Sequence, residues 1–183
     1  EILHEVTSLR EKISSKDNLL IYYAGHGFLD KDAEKGFWLP VDAREKGLSN
    51  WLSTDLLVSQ LRAMDAKHIL VVADSCFSGK ITRNLQVVEG RTPSWLQRVV
   101  KKRARLALTS GGEEPVTDSG AGKHSVFANA FLSILEENTQ VLEVSRLFTE
   151  LRPKVIRDAR QTPTYGPLHE ARHDDGEFLF VRR

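Results

Sequence analysis

Two short segments, each at the end of an apolar run, limit what this chain can fold into. The segment YYAGHG at residues 22–27 follows the run LLI, and the segment VADSCFSG at residues 72–79 follows the run ILV. Aliphatic and β-branched runs that stop at glycine and other small residues are typical of buried strands ending in a sharp turn. The C-terminal ends of parallel strands form the sheet edge at which ligands bind. We therefore expect His26 and Cys76 to lie at one sheet edge.

The residue types at this edge are those of thiol catalysis. Cys76 is the only cysteine among 183 residues, and His26 stands 50 positions before it. A thiolate is a strong nucleophile, and an imidazole within reach lowers the thiol pKa and delivers a proton to the leaving group. A lone cysteine is more often a small buried hydrophobe. The matched glycine turns around both residues favour catalysis.

The rest of the pattern alternates helices with short apolar strands, which indicates a three-layer α/β/α sandwich around a mostly parallel sheet. Apolar residues at helical spacing predict the helices. Ser53 is a suitable N-cap for the helix near 54–65, and Ser125 opens another helix. The stretch at 25–52 is expected to be a long loop. The predicted helices are at 2–13, 54–65, 95–103, 125 onwards and 143–159, and the four predicted strands are at 19–24, 68–73, 104–109 and 177–181.

The chain resembles the caspase-like cysteine peptidases of clan CD (peptidase C14), and in particular the bacterial branch allied to metacaspases, the orthocaspases. The resemblance rests first on the His-Gly pair and on the Asp-Ser-Cys triplet, which has the D-x-C form of metacaspases. Further segments extend it over nearly the whole chain. They are TSGG at 109–112, EPV at 114–116, HSVFA at 124–128, QTPTYG at 161–166 and GEFLFV at 176–181.

This resemblance implies a fold of the caspase–hemoglobinase type, whose core sheet has six strands. Only four strands are counted here, so we expect the first two to lie upstream of residue 1. Residues 1–183 are expected to form one peptidase domain. Its parts are a large-subunit-like region at 1–90 that lacks its N-terminal strands, a basic intersubunit-like segment at 91–104, and a small-subunit-like region at 105–183.

The resemblance also implies roles for individual residues. Cys76 is the nucleophile and His26 the general base and acid of an endopeptidase that forms a thioester acyl-enzyme. The backbone N–H groups of Gly27 and Cys76 form the oxyanion hole. Glycine at position 27 also permits a tight turn, and the two roles are compatible.

Asp74 is the candidate specificity residue. It stands where Asp-specific caspases have Gln, and a carboxylate there repels acidic side chains and attracts Arg or Lys. At about 4 Å and an effective dielectric of about 20, such a pair is worth roughly 4 kcal/mol before desolvation. Asp118 is a weaker candidate for a second acidic wall. The alternative is that Asp74 is a strand-end carboxylate bonded to backbone amides and that Asp118 is a solvated loop residue. The expected substrates are proteins or peptides with basic residues.

The basic run that ends at Arg105 has three interpretations. Lys102, Arg103 and Arg105 are candidate autoprocessing sites, since an enzyme that cuts after basic residues can cut its own chain between its two halves. A solvated helix face is the default for such a run. A nucleic-acid patch is not expected, because no aromatic residues interleave with the charges.

Composition narrows the expected partners and location. The 26 Lys and Arg residues balance 25 Asp and Glu residues, and no apolar run approaches the roughly 20 residues of a membrane span. We therefore expect no nucleic acid and no membrane contact within this chain. One cysteine excludes an internal disulfide and fits a cytoplasmic location.

No cofactor or metal is expected. Zinc-ligand spacings are absent, and Arg83 stands where related calcium-dependent enzymes have an acidic residue. A regulatory or N-terminal segment, from this chain or another, is a further expected partner.

Two alternatives remain open. One is a catalytically silent caspase-like module that serves docking or oligomerisation, and the presence of both His26 and Cys76 argues against it. The other is a caspase-like peptidase with Asp specificity, and Asp74 argues against it.

Overall fold

The computed structural model describes residues 2–44, 50–75, 92–111, 124–159 and 161–182. Outside the run of strands within residues 18–53 and the final pair of strands, helices and strands alternate along these residues as the sequence predicts. In chain order the elements are α1 (Ile2–Lys12), β1 (Asn18–Ala24), β2 (His26–Asp30), β3 (Lys35–Leu39), β4 (Leu52–Ser53), α2 (Thr54–Ala63), β5 (His68–Asp74), α3 (Pro93–Val99), β6 (Ala104–Thr109), α4 (Val126–Glu137), β7 (Val141–Glu143), α5 (Val144–Asp158), β8 (Thr164–Pro167) and β9 (Leu179–Val181).

The main sheet has the strand order β1-β5-β6-β8. β5 pairs in parallel with both β1 and β6, and β8 joins β6 in the antiparallel direction. Every residue of β5 is buried, as expected for a central parallel strand that is covered on both faces. The predicted mixed α/β fold with a mostly parallel sheet is therefore confirmed.

Helices cover both faces of this sheet. Leu70 and Val72 of β5 pack on one side with α4 and α5. The alternate residues Ile69 and Val71 pack on the other side with α1 and α2. Side chains of successive strand residues point to opposite faces, so the continuous apolar run of β5 contributes residues to the hydrophobic core on each side of the sheet. The result is the expected three-layer sandwich.

The prediction of a long loop at 25–52 is wrong. β2, β3 and β4 form a small antiparallel sheet within this range, with Phe28 opposite Phe37 in the register. The Trp51 ring packs edge-on against both phenylalanines, at centroid distances of 5.0 and 5.8 Å. The strands are short and carry glycine and charged residues, and their stability comes from aromatic contacts that a linear pattern does not reveal.

The main sheet has four strands among the described residues, but its fourth strand is not the one predicted. β8 occupies that place, at the edge where a strand-end proline such as Pro167 is tolerated. The predicted strand at 177–181 is instead the three-residue β9, which pairs with β7 apart from the main sheet. The prediction placed this last strand in the wrong sheet because pairing partners are set by tertiary contacts.

β1 forms the opposite edge of the main sheet, with a strand neighbour on one side only in the described part of the chain. Leu20 and Tyr22 are each 42% exposed there. The expectation that two further strands precede residue 1 stays a prediction. Across the described ranges, no helix has the length and apolar content needed to cross a membrane.

Candidate active site

The ends of the two motif-bearing strands lie side by side. Ala24, the last residue of β1, pairs with Asp74, the last residue of β5. The N–H of Gly25 then donates a hydrogen bond to the Asp74 carbonyl oxygen at 3.3 Å. His26 follows this junction on one chain segment and the buried Ser75 follows it on the other. The strand ends therefore meet at one edge of the sheet, as the sequence predicts.

Two of the predicted site residues, Cys76 and Asp118, lie outside the described residues. The distance between the thiol of Cys76 and the imidazole of His26 is thus not described, and the pairing of these two side chains stays a prediction.

His26 is exposed at the start of β2, and its backbone is held by Tyr23. The Tyr23 hydroxyl lies 2.8 Å from the carbonyl oxygen of His26, and it accepts a hydrogen bond from the N–H of Leu39 at 3.1 Å. The Tyr23 ring stacks on Trp38 with a centroid distance of 4.1 Å. A Cβ on Gly25 would lie 2.8 Å from the same hydroxyl, so a larger residue at this position would displace the end of the Tyr23 side chain. Tyr23 thereby fixes the turn that presents the imidazole.

Gly27 lies within β2, opposite Trp38 of β3. Its predicted role as an oxyanion-hole donor depends on a substrate carbonyl approaching its N–H, and that role stays a prediction.

Asp74 is only 5% exposed, and its carboxylate is bonded to a side chain rather than open to bulk water. The hydroxyl of Ser125 donates to Asp74 Oδ2 at 2.5 Å. The same hydroxyl accepts a hydrogen bond at 2.9 Å from the N–H of Ala128, which makes Ser125 the N-cap of α4. Burial and the nearby Asp74 carboxylate raise the pKa of Tyr22, so the phenol stays protonated at neutral pH. Asp74 therefore lies among hydroxyl groups between β1, β5 and α4.

Arg105 does not fit the predicted role of an autoprocessing site. Its side chain is completely buried within β6, and its guanidinium donates four hydrogen bonds of 2.7 to 3.2 Å to backbone carbonyl oxygens. Those oxygens belong to Met64, Ala66, Lys67 and Ala104. Burial lowers the pKa of Arg105 to about 10, which leaves it charged at neutral pH. A peptidase needs an accessible, extended chain, and an interior strand does not provide one.

Lys102 and Arg103 lie just before β6, where the backbone is held from several sides. His68 Nε2 donates to the Lys102 carbonyl oxygen at 3.1 Å, and the N–H of Asp174 donates to the Arg103 carbonyl oxygen at 3.0 Å. Gly176 packs so closely that a Cβ on it would lie 2.6 Å from the Lys102 oxygen. Cleavage after Lys102 or Arg103 would require this segment to be released first.

Metal ligands are not grouped in the described ranges. No cluster of three or more His, Cys, Asp or Glu side chains there is arranged to hold a metal ion. The expectation that the chain needs no calcium stays a prediction.

A cavity of about 530 Å³ lies along α2, and its walls combine carboxylates with basic side chains. Glu34, Asp55 and Glu170 contribute the acids, and Arg62 and His169 the bases. His26, the candidate base, does not line it.

Sequence reasoning missed the residues that support the site. It identified Ser125 only as the start of a helix, because the N-cap pattern is local whereas its partner Asp74 lies 51 positions earlier. It gave Tyr23 no role, although an aromatic residue with a hydroxyl three positions before the candidate base was a usable signal.

Comparison with known proteins agrees with this architecture. The family model of the caspase domain (peptidase C14) matches residues 1–170. None of the curated proteins matches the chain in sequence.

Two crystal structures resemble the chain in fold. Protein GSU0716 from Geobacter sulfurreducens has a TM-score of 0.56 and 16% identity, over 96% of this chain and 77% of that one. Caspase-1 from Spodoptera frugiperda has a TM-score of 0.58 and 17% identity, over 91% of this chain and 66% of that one. At these identities the likeness concerns the fold alone. Because the caspase-domain match takes in both strand-end motifs and all four strands of the main sheet, the chain belongs to the caspase domain family, a family of cysteine peptidases.

Proposed function

We propose that this chain is a cysteine endopeptidase of the bacterial metacaspase-like branch, which cleaves cytoplasmic protein substrates after Arg or Lys. The observation that carries the proposal is the junction of β1 and β5, where Ala24 pairs with Asp74 and the Gly25 N–H bonds to the Asp74 carbonyl. In sequence, His26 and Cys76 each stand two residues after this pair. A base and a nucleophile that leave adjacent parallel strands at the same end are suitably placed to act together.

The proposed reaction needs only groups of this chain and water. The Cys76 thiolate attacks the scissile carbonyl carbon, and the oxyanion that forms accepts hydrogen bonds from the N–H groups of Gly27 and Cys76. The C–N bond then breaks as the His26 imidazolium gives its proton to the leaving amine, which leaves a thioester on Cys76. A water molecule that loses a proton to His26 attacks the thioester, and the C–S bond breaks to release the acid. One oxyanion donor contributes about 3–4 kcal/mol to such a reaction.

The preference for a basic residue rests on Asp74. Its carboxylate is buried at the strand junction, and the hydrogen bond from Ser125 does not neutralise its charge. A guanidinium can bind a carboxylate through two parallel hydrogen bonds, whereas an acidic substrate side chain would meet a like charge. Loss of a charge-assisted contact of this kind costs about 1.5–3 kcal/mol.

Fluorogenic peptides that differ only in Arg, Lys or Asp before the scissile bond test the proposal. We expect turnover of the Arg and Lys peptides, no turnover by Cys76→Ala, and ten- to hundredfold slower Arg cleavage by Asp74→Asn. In Asp74→Asn, the thiol should keep its reactivity toward iodoacetamide, because the nucleophile and its base are unchanged.

Other outcomes would separate the alternatives. A preference for the Asp peptide would overturn the assigned specificity. A folded protein that turns over none of the peptides would point to a docking module.

A further inference from the structure

The hydroxyl of Ser125 occupies a position between the candidate specificity carboxylate and a helix N-terminus. It accepts a hydrogen bond from the Ala128 N–H at 2.9 Å and donates one to Asp74 Oδ2 at 2.5 Å. The hydroxyl oxygen therefore accepts a hydrogen bond from the helix backbone, and its proton is donated to the carboxylate. α4 is 12 residues long, so its first turn carries the partial positive charge of a full helix dipole.

The hydrogen bond from Ser125 offsets the cost of burying the Asp74 carboxylate. Asp74 is 5% exposed, and a buried carboxylate is costly unless donors reach it. The Ser125 hydroxyl supplies one donor and relays the polarity of the α4 N-terminus, which favours a negative charge at this point. A hydrogen bond to one carboxylate oxygen also restricts rotation of the carboxylate plane. Ser125 thus contributes to both the orientation and the charge of Asp74.

Tyr22 supports the same carboxylate from β1. It shares a sheet face with Ala24, which pairs with Asp74, and its ring contacts Phe131 of α4 at a centroid distance of 6.0 Å. Burial and the Asp74 carboxylate raise the pKa of Tyr22, so its hydroxyl keeps its proton as a potential donor. The Asp74 carboxylate thus has hydroxyl-bearing side chains of β1 and α4 beside it, and hydroxyl donors stabilise a carboxylate.

We propose that Ser125 is a positioning residue for substrate selection: its hydroxyl orients the buried Asp74 carboxylate, and this orientation makes the site select a guanidinium over a neutral side chain of the same shape. This inference rests on the proposed function and adds a residue to it. Ser125 acts through Asp74 and is not itself a reacting group. Its loss should weaken selection for charge and leave the nucleophile unchanged.

The test compares peptides with Arg or citrulline before the scissile bond, because citrulline is a neutral side chain of nearly the same shape. The variants are Ser125→Ala, Ser125→Gly and Ser125→Thr. Glycine keeps most of the N-cap preference but lacks the hydroxyl, and threonine keeps both. Thr92→Ala is the matched control, because Thr92 caps α3 through a 3.2 Å hydrogen bond from the Trp95 N–H and the other hydrogen bond of its hydroxyl is with Ser94.

We expect Ser125→Ala and Ser125→Gly to lower the Arg-to-citrulline ratio of kcat/KM by about tenfold, mainly through KM for the Arg peptide. Ser125→Thr should restore the ratio, and Thr92→Ala should not change it. The rate of Cys76 alkylation by iodoacetamide should be the same in all four variants. Loss of the cap alone would lower stability in Ser125→Ala without changing the ratio, and an unchanged ratio in both Ser125→Ala and Ser125→Gly would overturn the inference.

A binding measurement separates this inference from the proposed function. Benzamidine carries the planar cation of an Arg side chain, and its affinity for Cys76→Ala can be measured by calorimetry without turnover. We expect about tenfold weaker binding when Ser125→Ala is added to Cys76→Ala. Equal binding to both proteins, or no binding to either, would overturn the role of Ser125 even if the wild-type protein cleaves peptides. Weaker binding in a protein that cleaves no peptide would retain the role of Ser125 and reject the peptidase.

Discussion

Replacing Tyr23 with Phe should slow catalysis without changing substrate selection. The Tyr23 hydroxyl contacts three backbone groups, which are the carbonyl oxygen of His26 at 2.8 Å and the N–H and carbonyl groups of Leu39, both at 3.1 Å. Phenylalanine keeps the ring that stacks on Trp38 and removes only the oxygen. The change therefore removes the hydrogen bonds that hold the backbone at His26, and it leaves the aromatic packing intact.

The size of the effect follows from the groups that lose a partner. The Leu39 N–H and the His26 carbonyl oxygen each lose a hydrogen bond worth about 0.5–1.5 kcal/mol. His26 is exposed, so water can replace part of this loss on its side. We expect the free energy of unfolding to fall by about 1–2 kcal/mol. Misplacement of the base by a fraction of an ångström should lower kcat about tenfold, with little change in KM because Asp74 keeps its contacts.

Steady-state kinetics with the Arg peptide and urea unfolding measure the two effects separately. Tyr165→Phe is the matched control, because it also removes a tyrosine hydroxyl, here 3.1 Å from Glu177 Oε1, without touching the His26 turn. It should lower stability by a similar amount and leave kcat unchanged. If Tyr23→Phe loses stability but keeps kcat within twofold of the wild-type value, Tyr23 is a structural residue only and the reasoning fails.

Three further predictions concern the end of the sheet opposite the candidate site, and each is measured by urea unfolding. Gly176→Ala should destabilise the protein by about 3 kcal/mol because its Cβ would clash with backbone atoms at 2.6 to 2.8 Å, whereas Gly111→Ala, with its nearest contact at 3.6 Å, should cost less than about 1 kcal/mol. Equal effects of the two substitutions would contradict the close packing. Arg105→Met should cost about 3 kcal/mol because it leaves buried carbonyl oxygens at the end of α2 without their donor, and an unchanged urea midpoint would refute this. Burial lowers the pKa of His173, whose Nδ1 accepts a hydrogen bond from the Arg105 N–H, so its contribution to stability is complete above its unfolded pKa of about 6.5 and is lost as the pH falls below that value. Stability should therefore fall more steeply from pH 7.5 to 5.5 in the wild-type protein than in His173→Asn, and equal slopes would exclude His173 as a cause.

The parts of the fold that the sequence predicted are those with strong local signals. β5 is a continuous apolar run, and a strand of this kind fits only a sheet that is covered on both faces. α4 begins directly after Ser125, where the sequence predicted the start of a helix, and the Ser125 side chain caps it. The antiparallel sheet around Phe28 and Phe37 was not predicted, because its stability comes from cross-strand rings rather than from a periodic pattern.

The candidate site was predictable in position but not in detail. Glycine turns after two apolar runs indicated which strand ends meet, and the pairing of Ala24 with Asp74 confirms that meeting. The hydrogen bond between Asp74 and Ser125 joins residues 51 positions apart, and no local rule connects them. Arg105 was interpreted as part of an exposed basic run because charge normally indicates solvent, whereas here four carbonyl oxygens compensate its burial.

The division of the main sheet along the chain has a consequence for its assembly. β1 and β5 come from the first part of the chain and β6 and β8 from the later part, and the two pairs meet in a six-residue register from His68–Ala104 to Ala73–Thr109. Cleavage of the backbone anywhere between Asp74 and Ala104 would therefore leave two chains, held together by the pairing of β5 with β6 and the contacts around it. The covalent link now supplies a high effective concentration for that pairing. After cleavage, the association of the two chains would depend on their concentration, and dilution alone would dissociate them.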